Sequence, residues 1–398
     1  MASFETSIHK HFIKISDPRD KAKTQHSLLN ILTIVLCAVI GGSEDFYDIE
    51  EFAKCKEEFF RTFLDLPNGM PSHDTINRVI SKIDPNEFSN CMIEWTKELS
   101  ENLKGVIAID GKTLRRSFQD ASKKNPLHIV SAWSSENGLV LGQVQTDAKS
   151  NEITAIPKLL TLLDIKGHIV TIDAMGCQKD IAEKILDGGG DYVLALKRNQ
   201  KDSLESVKYL FDWELKNDFS GVSHTEISSV EKGHGRIETR KVYSIGELEK
   251  IEGLSLEKWT GLQSLTMVES VREINGSSTS ERRYYISSLP ASAKIIGDSV
   301  RSHWEIENSL HWVMDVTFHE DYARNRKEHS AANMAAMRHI ALNLIKQEKK
   351  TKGSIKGKRK RAGWNDEYLL KLLGAIYASA LCAVAGHWSF PPANLNHR

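Results

Sequence analysis

The chain has 398 residues, with 53 lysines and arginines against 53 aspartates and glutamates, and 40% of its residues are hydrophobic. That length admits one large domain or two to three small ones around a sizeable core. A formal net charge of zero excludes bulk charge as the means of drawing a polyanion, so any such role must rest on local clusters.

From the N-terminus the pattern is helical. No secretory signal stands at Met1. The apolar run from Leu28 to Ile40 is interrupted by Asn30 and Thr33 and stopped by Gly41-Gly42, so it reads as a buried helix, too short to span a membrane. Asp48 to Leu64 reads as a second helix. A third opens at Pro71-Ser72-His73-Asp74, with Ser72 as N-cap and Ile76, Val79, Ile80 and Ile83 on one face. Arg78 and Lys82 lie off that face, which makes residues 1–100 a helical domain and a candidate for DNA contact.

Strands begin after Gly105. Val106 to Asp110 is the first, and His128–Ser135 and Leu139–Asp147 flank the hairpin signal Asn137-Gly138. Ile153–Leu163 reads as a helix with Pro157 in its first turn, Gly167–Asp173 as a strand, Gln178–Leu186 as a helix and Tyr192–Leu196 as a strand. This order predicts a mixed α/β sheet with the first strand central and the fourth parallel beside it. Residues 101–221 and 291–345 make up that core. Between them, 222–290 is a β-rich insertion, with Arg240–Tyr243, Ser264–Arg272 and Arg282–Ser288 its clearest strands. Asn333–Lys346 closes the core as an amphipathic helix. Residues 346–398 form a basic linker, nine basic residues and one acidic between Lys346 and Arg361, then an apolar helical segment from Trp364 to Ala385.

Three acids draw attention. Asp110 and Asp173 each end an apolar strand, and Glu307 lies in the helical stretch Arg301-Ser302-His303-Trp304-Glu305-Ile306-Glu307. Two strand-end carboxylates and a third from a helix can hold a pair of divalent cations that clamp the attacking and leaving oxygens of a phosphodiester. Carboxylate and water ligands favour Mg²⁺, with Mn²⁺ able to substitute. Glu305 and Glu307 sit about 200° apart on an α-helix, so only one can serve. His303 and His311 also admit a His/carboxylate zinc site, although no third nitrogen or sulfur ligand stands out. The cysteines, Cys37, Cys55, Cys91, Cys177 and Cys382, form no CxxC pair and fit a reducing cytoplasm.

The stretches Ala108-Ile109-Asp110-Gly111-Lys112, Thr171-Ile172-Asp173-Ala174-Met175-Gly176-Cys177-Gln178, His303-Trp304-Glu305-Ile306-Glu307-Asn308-Ser309-Leu310-His311-Trp312 and Glu320-Asp321-Tyr322-Ala323-Arg324-Asn325-Arg326 resemble the H-repeat-associated insertion-sequence transposases. The likeness runs from Asp17-Pro18-Arg19 to about Leu372. It implies an RNase H-like core interrupted between the second and third acids, and Asp-Asp-Glu (DDE) chemistry carried by Asp110, Asp173 and Glu307. It also implies double-stranded DNA as partner, a homo-oligomeric synapse in the bacterial cytoplasm at the nucleoid, and neither membrane nor small-molecule substrate. Related transposases commonly carry a basic residue four before the third acid and another seven after it. Here those positions hold His303 and Met314, so Arg301 and His311 become the alternatives for gripping phosphate.

Other phosphate contacts follow from position. Lys112, Arg115 and Arg116 come after the first acid, and Lys197, Arg198, Asn199 and Gln200 after the strand that follows the second; both clusters lie at strand ends. His234 and Arg236 mark a turn in the insertion. Lys358, Arg359, Lys360 and Arg361 suit contacts that read no sequence. Trp259, Trp304, Trp312 and Trp364 read as packing residues. A nuclease without strand transfer, an idle DNA-binding relic and a regulator of its own terminal DNA remain as alternative readings.

Overall fold

Alternating side chains set the centre of the molecule. In Val106-Ile107-Ala108-Ile109-Asp110 successive residues must point to opposite faces of a strand. The computed structural model describes residues 6–20, 22, 24–100, 104–117, 126–146, 152–233, 235–251, 256 and 259–374. It places these five residues in β1 (Val106–Leu114). Ile107 and Ile109 join one apolar cluster with Val130, Leu159, Val170 and Ile181. Ala108 joins the opposite one with Trp133, Ile306, Met337 and Ile340. The sheet is therefore covered on both faces.

β2 (Leu127–Ser134) and β3 (Leu139–Gln145) run antiparallel in a meander from β1, while β4 (Ile169–Ile172) and β5 (Asp191–Leu196) lie parallel on its other side. The central first strand and the parallel fourth strand are as the sequence predicts. β1 continues four residues beyond Asp110, paired there with β2 alone, because β4 ends at Ile172. The later strands, β6 (His224–Gly233), β7 (Arg236–Ile245), β8 (Ser264–Ile274) and β9 (Ser277–Ser287), extend the same sheet. β9 pairs antiparallel with β5, giving, among the described residues, nine strands in the order β3-β2-β1-β4-β5-β9-β8-β7-β6.

Before β1 the described chain is helical: α1 (Ser7–Phe12), α2 (Leu28–Gly41), α3 (Phe46–Cys55), α4 (Glu57–Arg61), α5 (His73–Lys82) and α6 (Pro85–Ser100). The single helix expected over Asp48–Leu64 is divided at Lys56, whose backbone leaves helical values (φ −113°, ψ 23°) and whose ammonium reaches Asp366 at 2.5 Å. Among the described residues no single helix is long and apolar enough to cross a membrane.

α7 (Glu152–Leu162), α8 (Lys179–Asp187) and α9 (Lys201–Lys216) cover one face of the sheet. Pro157 falls beyond the first turn of α7, contrary to expectation. α10 (Ala293–His303) leads into a π-helical turn, Ile306–His311, and then α11 (Trp312–Val316) and α12 (Ser330–Gln347).

The expected basic linker is instead α13 (Ile355–Trp364), followed by α14 (Asp366–Leu372). Both pack into one cluster with α2 and α12, so the N-terminal helices share their core with the C-terminal ones. The segment expected as one helix from Trp364 is broken at Asn365, which caps α14, and its part beyond residue 374 lies outside the described residues.

Candidate active site

Strand parity delivers the two aspartates to one side. Ile109 stands opposite Ile172 as the last pair of the parallel β1–β4 ladder, and Asp110 and Asp173 each directly follow one of its members. Asp110 shares the parity of Ala108, which faces α12. Asp173 shares that of Thr171, whose hydroxyl lies 3.1 Å from Nδ1 of His303 at the end of α10. Close-fitting glycines follow each acid. A Cβ on Gly111 would fall 2.4 Å from His128 Nε2, which is paired at 2.7 Å with Glu152. A Cβ on Gly176 would fall 2.3 Å from Cγ2 of Ile172.

The third acid arrives from the π-helical turn. Ile306 and Leu310 enter the core, and Glu307 and His311, also four apart, turn to Asp110. His311 Nδ1 is 3.6 Å from Asp110 Oδ2 and 3.6 Å from Glu307 Oε2. Asp110, Glu307 and His311 each offer a ligand atom, all within 4.8 Å of one another. Asp173 lines the same cleft, of about 630 Å³, without joining that close trio. Glu305 faces a neighbouring cleft among Arg236, Arg240, Arg272 and Arg301.

Burial pushes the Asp110 carboxyl up to about 7; His311 opposes the shift, and the Glu307 carboxylate adds to it. His311, whose Nδ1 lies 3.6 Å away, leads in holding Glu307 below its usual value. A buried acid that ionises reluctantly beside a second carboxylate is a donor set that a divalent cation would satisfy.

The predicted phosphate contacts divide into several groups. Lys197 and Arg198 are exposed and line the cleft, and His303 lies in its wall. Asn199 donates to Ala174 O at 2.5 Å and Gln200 to Cys177 O at 2.9 Å, so both fasten the turn that carries Asp173. Lys112 is half-buried and pairs with Asp315 and, at 2.9 Å, with the buried Glu320. Arg115 is exposed beside Asp321, and Arg116 stacks over Tyr322. Arg301 pairs with Glu231 at 2.5 Å and Arg236 lies 3.7 Å from Glu238. His234 lies outside the described residues.

In α13, Lys358 and Arg359 are buried. Lys358 donates to Glu348 O, and Arg359 donates to Thr317 O and, at 2.9 Å, to Val39 O. Solvent-facing phosphate contacts from these two are thereby corrected to internal carbonyl contacts, while Lys360 and Arg361 remain exposed.

Sequence reasoning missed Lys208, Arg282, Arg283 and Trp304 in the cleft wall. Trp304, Trp312 and Trp364 are exposed, contrary to their reading as packing residues, whereas Trp259 is buried. Arg283 lies over the Trp304 ring, 4.7 Å from its centroid. The available signal was Arg282-Arg283-Tyr284-Tyr285 in a strand paired with β5, which leads to Lys197.

Fold and site together define an α/β protein with carboxylates gathered at the carboxyl ends of adjacent parallel strands, where such folds place their chemistry. Residues 101–344 match the family model described as Transposase DDE domain, and residues 9–96 match the DDE_Tnp_1-associated model. The chain belongs to the DDE transposase family. It is 43% identical over 365 residues to "Putative transposase YncI" of Escherichia coli O157:H7, covering 91% of this chain and 93% of that protein. It is 41% identical over 369 residues to "H repeat-associated putative transposase YhhI" of Escherichia coli K12, covering 92% and 97%. Among solved structures, the piggyBac transposase synaptic complex with hairpin DNA aligns over 99% of this chain and 85% of that one. Its TM-score of 0.43 and 11% identity are too low to carry a fold assignment.

Proposed function

We propose that the protein cleaves DNA at the ends of its own element and joins the freed strand to a target, using an RNase H-like core formed by β1 to β5. The observation that carries this reading is the approach of Asp110 and Glu307 in a cleft that Asp173 also lines. Asp110, Asp173 and Glu307 would hold a pair of divalent cations, Mg²⁺ or in its place Mn²⁺, which when bound supply Lewis acidity at the phosphate oxygens.

The chain's own groups do the rest. Lys197 and Arg198, exposed at the cleft, grip the DNA backbone. Asn199 and Gln200 hold the Asp173 turn in place. Attack of water on a phosphodiester releases a 3′-hydroxyl, and attack of that hydroxyl on a target phosphodiester exchanges one P–O bond for another. Neither step requires a serine or tyrosine nucleophile. Two ends must be handled together, so the working form is an assembly of at least two copies on the bacterial nucleoid.

Incubation with DNA carrying the sequences that flank its own gene, with and without Mg²⁺, tests this reading. Cut ends and new junctions are expected with Mg²⁺ alone. Cutting without junctions would indicate a nuclease, and binding without either would indicate a relic.

A further inference from the structure

We propose that His311 Nδ1 is itself a ligand of the cation held by Asp110 and Glu307, so that this centre is a mixed nitrogen–oxygen site. The inference rests on the reading of those two carboxylates as metal ligands.

Distance is the first support. At 3.6 Å from each carboxylate oxygen, Nδ1 lies beyond hydrogen-bond length. Two ligands each about 2.1 Å from one ion stand roughly 3 Å apart when they are at right angles, so a small contraction closes the set around a cation.

Burial and orientation are the second. His311 is 7% exposed, and its Nε2 has no hydrogen-bond partner among the described residues. On the Nδ1 side it meets the two carboxylates. The ring is therefore placed by packing and presents a nitrogen between two anionic oxygens. The turn geometry is the third. Residues four apart on Ile306–His311 share a side, which brings Glu307 and His311 to Asp110 together while Leu310 locks the turn into the core.

An imidazole ligand shifts metal choice. Nitrogen donors favour Mn²⁺ over Mg²⁺, which prefers oxygen. The wild-type protein should bind Mn²⁺ more tightly than Mg²⁺, and loss of His311 should narrow that difference.

The test is pulsed electron paramagnetic resonance of the full-length protein loaded with Mn²⁺. Modulation from a directly bound nitrogen is expected, changing on ¹⁵N-histidine labelling, persisting in His303→Gln and vanishing in His311→Gln. Mn²⁺ affinity of His311→Gln should fall at least about tenfold. Should that variant fail to fold, the labelled wild type and His303→Gln still decide the matter. Absence of nitrogen modulation in wild-type protein, with Mn²⁺ binding lost in Asp110→Asn, would overturn the histidine ligand and leave the carboxylate reading standing. Wild-type Mn²⁺ affinity in Asp110→Asn would overturn both.

Discussion

Asp110 and Asp173 each directly follow a member of the last pair, Ile109–Ile172, of two adjacent parallel strands. Neighbouring parallel strands lie about 4.8 Å apart, and residues in register face the same way. The backbone thus brings both aspartates to one cleft, where Glu307 and His311 approach Asp110 and Asp173 stands outside that close group, its Oδ1 accepting from Met175 N at 2.9 Å.

The turn after β4 has its own fastening. Asn199→Ala removes the 2.5 Å bond to Ala174 O and frees the segment that carries Asp173. Misplacement of a reacting group by about 1 Å can lower a rate roughly a hundredfold. Single-turnover cleavage should fall by about ten- to a hundredfold, with DNA affinity by fluorescence anisotropy unchanged. An unaltered rate would show that the turn holds without the latch.

Position in α13 separates structural from surface charge. Arg359→Ala takes the donor from Thr317 O and leaves Val39 O only the N–H of Gly42 at 3.4 Å, and should cost about 1–3 kcal/mol of stability in urea unfolding. Lys360→Ala should change stability by less than about 0.5 kcal/mol. If Lys360 contacts a phosphate, its loss should flatten the salt dependence of DNA binding by about 0.9 in slope. Equal stability of the two variants would contradict the burial of Arg359.

Glu348 gives a pH-dependent contact. Burial alone would raise its pKa, but hydrogen bonds from Lys371 and Thr351 outweigh burial and hold it down to about 2. A lowered acid pKa stabilises the fold above the ordinary value of 4.5, and that contribution is lost as pH falls toward about 2. Hydrogen-exchange protection in α13 and α14, taken relative to the intrinsic rate at each pH, should fall over that window in the wild type, and Glu348→Gln should remove the dependence. Persistence of the same acid response in Glu348→Gln would assign it to other groups.

Much of the centre was legible because strand alternation is local. Val106–Asp110, the Asn137-Gly138 hairpin and Tyr192–Leu196 each carry their pattern within a few residues. What escaped depends on distant partners. Arg359 reads as a solvated charge until Val39 and Thr317 stand beside it, and Lys112 until Asp315 and Glu320 do. The division at Lys56 answers to Asp366, far along the chain. α-Helical spacing admits only one of Glu305 and Glu307 and the motif points to Glu307, whereas the local geometry is a π-helical turn, a departure that residue periodicity does not announce.

The most direct test of the proposed catalytic centre is single-turnover cleavage of element-end DNA in Mg²⁺ by Asp110→Asn, Asp173→Asn and Glu307→Gln, beside Glu305→Gln. Each of the first three keeps side-chain shape and removes a charge proposed to bind metal, so each should abolish cleavage while retaining DNA binding, and Glu305→Gln should cut like the wild type. Wild-type cutting by any of the three, or loss of cutting in Glu305→Gln with Glu307→Gln active, would contradict the assignment.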